Sequence, residues 1–201
     1  MSFTHGNSVE GTTRRILHVG EPALRCPAAA VDPADIPGAT VQSVIADLIC
    51  TMRGAQGAGL AATQIGESLR ICVIEVEQNR RYPYKPPIPL TVLINPRWTA
   101  LTDEVFVNNE GCLSVPGLRG DVARSTRIRV ESLDQEGSRL DFSVAGLSAG
   151  TFQHECDHLD GVLFIDRVAD PRSLSTWENF DRYRRAEYLA RVTELVGRYR
   201  Q

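Results

Sequence analysis

Two histidines four residues apart, His154 and His158, lie in the run Gln153-His154-Glu155-Cys156-Asp157-His158-Leu159. On a helix, residues i and i+4 sit one above the other on the same face, so both imidazoles can grip one divalent ion. Glu155, beside the first histidine, is then placed to act as general base on a water at that ion. The chain has only four histidines, and two are here. The same HExxH pattern also arises on ordinary surface or core helices, so a further ligand has to decide the matter.

A catalytic site of this kind takes three protein ligands and leaves one position open. In the pattern HExxHxxGxxH the third is a histidine, but here Phe164 stands at that place and cannot ligate. In the thermolysin-like pattern it is a glutamate further on. Glu178, 20 residues after His158, has a fitting spacing, although an acidic residue in a first helical turn is also favoured by the helix dipole. The other candidate is Cys112, in Asn109-Glu110-Gly111-Cys112-Leu113-Ser114-Val115-Pro116-Gly117. A thiolate binds Fe²⁺, Co²⁺, Ni²⁺ or Zn²⁺ well, and the glycine before it lets the backbone come close. A lone cysteine is otherwise a small buried hydrophobe.

These residues must be positioned by a chain of 201 residues, 42% hydrophobic and 23% charged, which is enough for one core-bearing domain. A net charge of −3 does not suit a general polyanion binder. No apolar run approaches the roughly 18 residues of a membrane helix, and the N-terminus lacks the basic and apolar regions of a secretory signal. Five scattered cysteines point to reduced thiols and a cytoplasmic setting.

Residues 1–13 are polar and aperiodic and read as a flexible leader. Apolar residues at 41, 44, 45, 48, 49 and 52 predict an amphipathic helix. Leu69 to Val76 and Leu90 to Ile94 predict strands, joined by an extended surface loop over Tyr82 to Pro89. A further strand pair is expected from 128–133 and 139–144, with Gln135 to Ser138 as the turn. Leu147 to Leu159 is the HExxH helix, with Leu147, Thr151, His154 and His158 on one face. Trp177 to Tyr199 predicts a single last helix, and there is neither a repeat nor a linker long enough to divide domains. The expected class is α+β, with mixed or antiparallel strands around a central HExxH helix and helices toward both termini.

The segments Gly57-Ala58-Gly59-Leu60-Ala61-Ala62-Thr63-Gln64, Glu110-Gly111-Cys112-Leu113-Ser114 and His154-Glu155-Cys156-Asp157-His158, in this order, resemble the three signature motifs of peptide deformylases. The likeness extends to Val92-Leu93-Ile94-Asn95-Pro96 and Asp160-Gly161-Val162-Leu163-Phe164 and covers about residues 14–170. It implies a metal-dependent hydrolase that removes the formyl group from N-formylmethionyl nascent chains and releases formate. Cys112, His154 and His158 would hold one divalent metal, Fe²⁺ in the cell, with Zn²⁺, Ni²⁺ or Co²⁺ able to replace it. Glu155 would move the proton, and the Gln64 side-chain amide with the Leu113 backbone N–H would receive the oxyanion. Asp157 could fix a histidine tautomer or pair with a cation such as Arg124.

The same resemblance places Ala58, Gly59, Glu110, Gly111, Leu147, Gly150 and Thr151 along the substrate, and Arg119 near the mouth of the cleft. Many relatives carry larger residues at the positions of Ala58 and Gly150. Their small size here either widens the pocket or leaves room for other side chains. Residues 14–170 would be the catalytic domain, with 171–201 a helix packed on it or extending from it. Two other readings stand beside this one: a thermolysin-like peptidase using Glu178, and a deformylase-like domain kept only for binding. Arg182, Arg184, Arg185, Arg191, Arg198 and Arg200 outnumber the acidic residues of the final helix. A solvated helix face accounts for them, and so does a weak ribosome contact. Neither a membrane nor a specific nucleic-acid sequence is an expected partner.

Overall fold

The apolar stripe at 41, 44, 45, 48 and 52 becomes the buried side of α1 (Ala39–Gly54). Its main cover is a sheet. The structure, a computed structural model, describes residues 10–77 and 83–199. After α1 come β1 (Gly59–Ala61), β2 (Ile71–Val76), β3 (Ile88–Ala100), β4 (Val105–Cys112), β5 (Val115–Ser125), β6 (Arg127–Leu133) and β7 (Arg139–Ala145). The chain continues through α2 (Gly146–Leu159), β8 (Ser175–Thr176), α3 (Trp177–Tyr183) and α4 (Arg185–Arg198). Among the described residues this is an α+β fold with two antiparallel sheets, ordered β1-β2-β3-β6-β7 and β4-β5-β8.

Strand alternation sends the side chains of β2 to opposite faces. Ile71 and Val73 pack with Leu48 and Met52 of α1. Cys72, Ile74 and Val76 pack with Ala149 and Phe152 of α2. A strand covered on both faces reads as a nearly continuous apolar run, which is why β2 was legible. Each such side chain taken out of water contributes roughly 1.5–3 kcal/mol. Helix α2 touches strands of both sheets, and nearly all of it is buried.

Several elements depart from the sequence reading. The strand expected over 90–94 runs from 88 to 100, because the pairing shifts between Ile94 and Arg97 and the ladder passes Pro96 there. Asn95 takes φ 54° at that shift, and its side chain is held by the Val31 N–H and carbonyl, each at 2.8 Å. The long hairpin β4–β5 was not foreseen, since its buried positions include Asn108, Asn109 and Glu110 instead of an apolar alternation. The final helix is two helices. They break at Arg184, whose guanidinium reaches Asp121 Oδ2 at 2.7 Å. Tyr188 and Val192 of α4 pack on Leu147 and Phe180. Of the loop expected over 82–89, Tyr82 lies outside the described residues and Ile88 already begins β3.

Residues 1–9 of the expected leader also lie outside the described residues. Its last part is anchored. The Thr12 N–H and hydroxyl donate to Asp47 Oδ1 at 2.8 and 3.0 Å, and Arg14 reaches Asp47 Oδ2 at 2.8 Å. From there the chain runs as a strap across two later segments, with Leu17 N donating to the Gln64 carbonyl at 2.8 Å and Val19 N to that of Ser114 at 2.7 Å.

Burial pushes the Asp47 carboxyl up, but the Thr12 N–H and Arg14 outweigh it and hold the group below its usual range. A carboxyl so depressed stabilises the fold above the unfolded value and loses that contribution as pH falls through the folded one. Asp47→Asn is therefore expected to lower unfolding stability by about 1 kcal/mol at pH 7, and the gap to wild type should narrow steadily in acid. Urea melts across the pH range check this, and a gap that stayed constant into acid would refute it.

Candidate active site

Helix geometry puts the rings of His154 and His158 next to each other, with centroids 4.9 Å apart. The third component arrives from β4. The pairing shifts between Gly111 and Cys112, so the strand ends on Cys112 opposite Val115. There Cys112 Sγ lies 3.2 Å from His158 Nε2. One ligand atom from each of Cys112, His154 and His158 falls within 4.8 Å of the others. A soft sulfur and two imidazole nitrogens converging in this way suit a borderline divalent metal. Burial pushes His158 well below its usual range, which favours the neutral ring that ligates, and its buried Nδ1 has no hydrogen-bond partner among the described residues. Glu178, the alternative ligand, is exposed in the first turn of α3 and is not part of this cluster. The thermolysin-like reading fails on that placement.

A chain of buried charges orients His154. The His154 Nδ1 lies 2.9 Å from Glu110 Oε2, which leaves its other nitrogen for the cluster. Glu110 in turn accepts a two-pronged pair from Arg124, Nε to Oε1 and Nη2 to Oε2, both 2.8 Å. Arg124 Nη1 reaches Asp157 Oδ2 at 2.6 Å, and Arg167 closes on the same carboxylate. Asp157 thus takes the cation pairing with Arg124. Burial opposes ionisation of both Glu110 and Arg124, but their mutual hydrogen bonds prevail and hold the carboxyl far down and the guanidinium above its usual value. Planar two-pronged pairing of this kind is what makes a buried arginine tolerable.

Glu155 shares α2 with both histidines and is itself buried. Burial pushes its carboxyl up to about 7, against the charges of His154 and Lys85. Its Oε2 has no hydrogen-bond partner among the described residues. Glycine is required beneath it, since a Cβ on Gly59 would lie 2.4 Å from Glu155 Oε1. Gln64 is fixed by its carbonyl oxygen, which accepts from Ala61 N at 2.8 Å. That turns the amide nitrogen toward Ser114 Oγ at 3.0 Å and Cys112 Sγ at 3.6 Å.

A cavity of about 50 Å³ opens beside these groups. It brings together Gln64, Cys112, Leu113, His154 and Glu155. Of the substrate residues read from the sequence, Ala58, Gly59, Glu110, Gly111, Gly150, Thr151 and Arg119 also line it. Leu147 does not; it borders a neighbouring groove and packs under α4. Arg119 is not free at a cleft mouth. It is 1% exposed, bonded to Asn109 Oδ1 at 2.7 Å, and stacked 4.1 and 4.3 Å from the rings of Trp177 and Phe180. The room left by Gly150 is filled, since a Cβ there would meet Phe106 Cζ at 3.1 Å.

Sequence reasoning missed Lys85, Asn108 and Tyr188, which line the same cavity. Lys85 Nζ donates to Thr151 Oγ1 at 3.0 Å, and the Tyr188 hydroxyl donates to Asn108 Oδ1 at 2.9 Å. Both contacts join residues more than 60 positions apart, and nothing local in the sequence marks them.

Comparison with known proteins identifies the family of the chain. The polypeptide deformylase family matches residues 13–173. Peptide deformylase 1 of Nitrosomonas europaea is 45% identical over 157 residues, covering 78% of this chain and 88% of the relative. Peptide deformylase 1 of Prochlorococcus marinus is 46% identical over 161 residues, covering 80% and 83%. Among solved structures, the class I type b peptide deformylase of Acinetobacter baumannii bound to Met-Ala-Ser has a TM-score of 0.75 at 32% identity, covering 78% of this chain and 99% of that one.

Removing one partner from a buried ion pair leaves an uncompensated charge, a loss of roughly 3–5 kcal/mol. Arg124→Met should therefore destabilise the protein by about that amount in guanidinium melts. Arg198→Met, at the exposed pair with Glu104, should change stability far less, because solvent screens that pair. Equal effects of the two would contradict the role given to Arg124.

Proposed function

Because the chain belongs to the peptide deformylase family, the enzymes that remove the formyl group from nascent peptides, we propose that Cys112, His154 and His158 hold its metal and that Glu155 carries the proton. The observation behind this reading is the convergence of one thiol and two imidazoles within 4.8 Å, beside the buried carboxyl of Glu155. Fe²⁺ is the ion proposed for the cell, with Zn²⁺, Ni²⁺ or Co²⁺ as substitutes that the same donors accept. When bound, the ion supplies a Lewis acid that acidifies water and polarises the formyl oxygen.

The protein's own groups do the rest. Glu155 takes a proton from the attacking water as the bond to the formyl carbon forms. It returns that proton to the amine nitrogen as the C–N bond breaks, so formate and a free N-terminus leave. A carboxyl with a pKa raised by burial suits both halves of this exchange. The Gln64 amide nitrogen and the Leu113 backbone N–H meet the negative charge that develops on the formyl oxygen. Gln64 can do so without reorganising, because Ala61 N already fixes its amide. Glu110 and Arg124 keep the His154 ring in register. This reading makes the HExxH helix the centre of the site, with strands of both sheets arranged around it.

Substrate takes the remaining places. β1 is an edge strand of its sheet among the described residues, and an extended peptide can pair with such an edge. Gly59 would offer its backbone there, with Ala58, Glu110, Gly111, Gly150 and Thr151 around the first side chain. Leu147 and Arg119 would act from behind, through packing and through Asn109. A domain kept only for binding is set aside, since the chain belongs to a family of enzymes.

The cellular setting belongs to the same proposal. No helix among the described residues is long and apolar enough to cross a membrane, and a cytoplasmic location fits a substrate that is a new chain. A weak ribosome contact through the last helix is retained in narrower form. Arg184, Arg185 and Arg198 are already paired with Asp121, Asp181 and Glu104, which leaves Arg182 and Arg191 as the first candidates, while Arg200 lies outside the described residues.

The test is formate release from formyl-Met-Ala-Ser by protein prepared anaerobically with Fe²⁺. Glu155→Ala should abolish turnover while leaving the metal content in place. Gln64→Ala should lower kcat on the order of 10²–10³-fold with the metal retained. A Glu155→Ala variant that still turned over at the wild-type rate would sink the mechanism.

A further inference from the structure

The cavity beside Glu155 carries a wall built for hydrogen bonding where a methionine side chain needs only apolar surface. Thr151 is buried, donates its hydroxyl proton to the Leu147 carbonyl at 3.2 Å, and accepts from Lys85 Nζ at 3.0 Å. Asn108 is buried too, held by the Tyr188 hydroxyl at 2.9 Å and donating to Glu110 Oε1 at 3.2 Å. The space beside Gly150 is closed by Phe106 and Asn108, since a Cβ there would meet Phe106 Cζ at 3.1 Å and Asn108 Nδ2 at 3.4 Å. Lys85, Asn108 and Thr151 thus place an ammonium, an amide and a hydroxyl along one small space.

An ammonium donor is matched by a side-chain oxygen, whereas a thioether sulfur is a weak acceptor. Charge narrows the choice. Glu110, Glu155 and Arg119 all act on Lys85, so anions and cations already offset each other around the cavity, and an entering carboxylate would lose its hydration for little net attraction. A neutral carboxamide carries the acceptor without that desolvation cost.

We propose that this cavity accepts, besides methionine, formylated residues whose side chain has similar length and ends in a neutral oxygen acceptor, a carboxamide above all, and that Lys85 is the residue that selects them. The proposal rests on the cavity being the side-chain pocket of the deformylase site. Lys85 comes from the loop before β3 and is neither one of the three clustered ligands nor the proton carrier; its charge also acts on Glu155, an effect that all substrates share and that cancels in the ratio between them. It touches the substrate side chain and not the reacting atoms, so its effect belongs in KM and in the ratio between substrates.

The experiment uses the full chain loaded with Fe²⁺ and three substrates, formyl-Gln-Ala-Ser, formyl-Glu-Ala-Ser and formyl-Met-Ala-Ser. Wild type should turn over the glutamine peptide with a kcat/KM within about tenfold of that for methionine, and the glutamate peptide much more slowly. Lys85→Met should lower the glutamine-to-methionine ratio about tenfold, through KM, as expected for loss of one hydrogen bond to a charged donor. Lys85→Arg, which keeps a donor, should restore most of it. Calorimetric titration with the products Gln-Ala-Ser and Met-Ala-Ser should show the same relative loss without any turnover. A ratio untouched by Lys85→Met, or release from formyl-Met-Ala-Ser alone, would overturn the proposal while leaving the deformylase reading intact. Release from none of the three would overturn that reading and the proposal with it.

Discussion

Arg124 is a fixed charge in a place with almost no water, and the geometry of the site depends on how it is compensated. Its side chain is 2% exposed. It is tolerable only because Glu110 meets it with two oxygens and Asp157 with a third. That requirement joins β4, β5 and α2 at one point. Glu110 comes from the strand that ends on Cys112, and Asp157 comes from the helix turn that carries His154 and His158. An arrangement that satisfies the arginine therefore brings the thiol toward the imidazoles as well. The second oxygen of Glu110, at 2.9 Å from His154 Nδ1, extends the same constraint to the ring itself.

The hydrophobic layers make this affordable in a chain of 201 residues. Burial of both faces of β2 fixes α1 on one side and α2 on the other, so the HExxH helix cannot turn its histidines away without exposing Ala149 and Phe152. The strap from Thr12 to Val19 binds the Gln64 and Ser114 carbonyls, and it holds the Gln64 amide near the Cys112 thiol. Glycine does the remaining work at Gly59, where the backbone lies so close to Glu155 that no side chain fits between them.

The candidate cluster was legible in the sequence because it is written in residue types that little else explains. His154, Glu155 and His158 have a helical spacing, Cys112 follows a glycine, and Gln64 closes a run of small residues. The elements with clear periodicity, α1, β2, β6, β7 and α2, were legible for the same local reason. The hairpin that delivers Cys112 was not. Its buried positions Asn108, Asn109 and Glu110 are polar, and they are tolerated inside only because Tyr188, Arg119 and Arg124 satisfy them from far along the chain. The break at Arg184 was hidden in the same way, being made by Asp121 and not by a glycine or proline. The pocket wall was hidden most completely, since Lys85 sits in a proline-rich loop whose composition says only that it is extended.

The central claim is that one metal ion is held by a sulfur and two nitrogens from Cys112, His154 and His158. X-ray absorption at the metal edge of the protein prepared anaerobically with Fe²⁺ tests it directly. The account predicts one ion per chain with one sulfur and two imidazole nitrogens in its coordination shell, and loss of the sulfur contribution in Cys112→Ala. A wild-type spectrum with no sulfur at bonding distance, or one unchanged in Cys112→Ala, would contradict it.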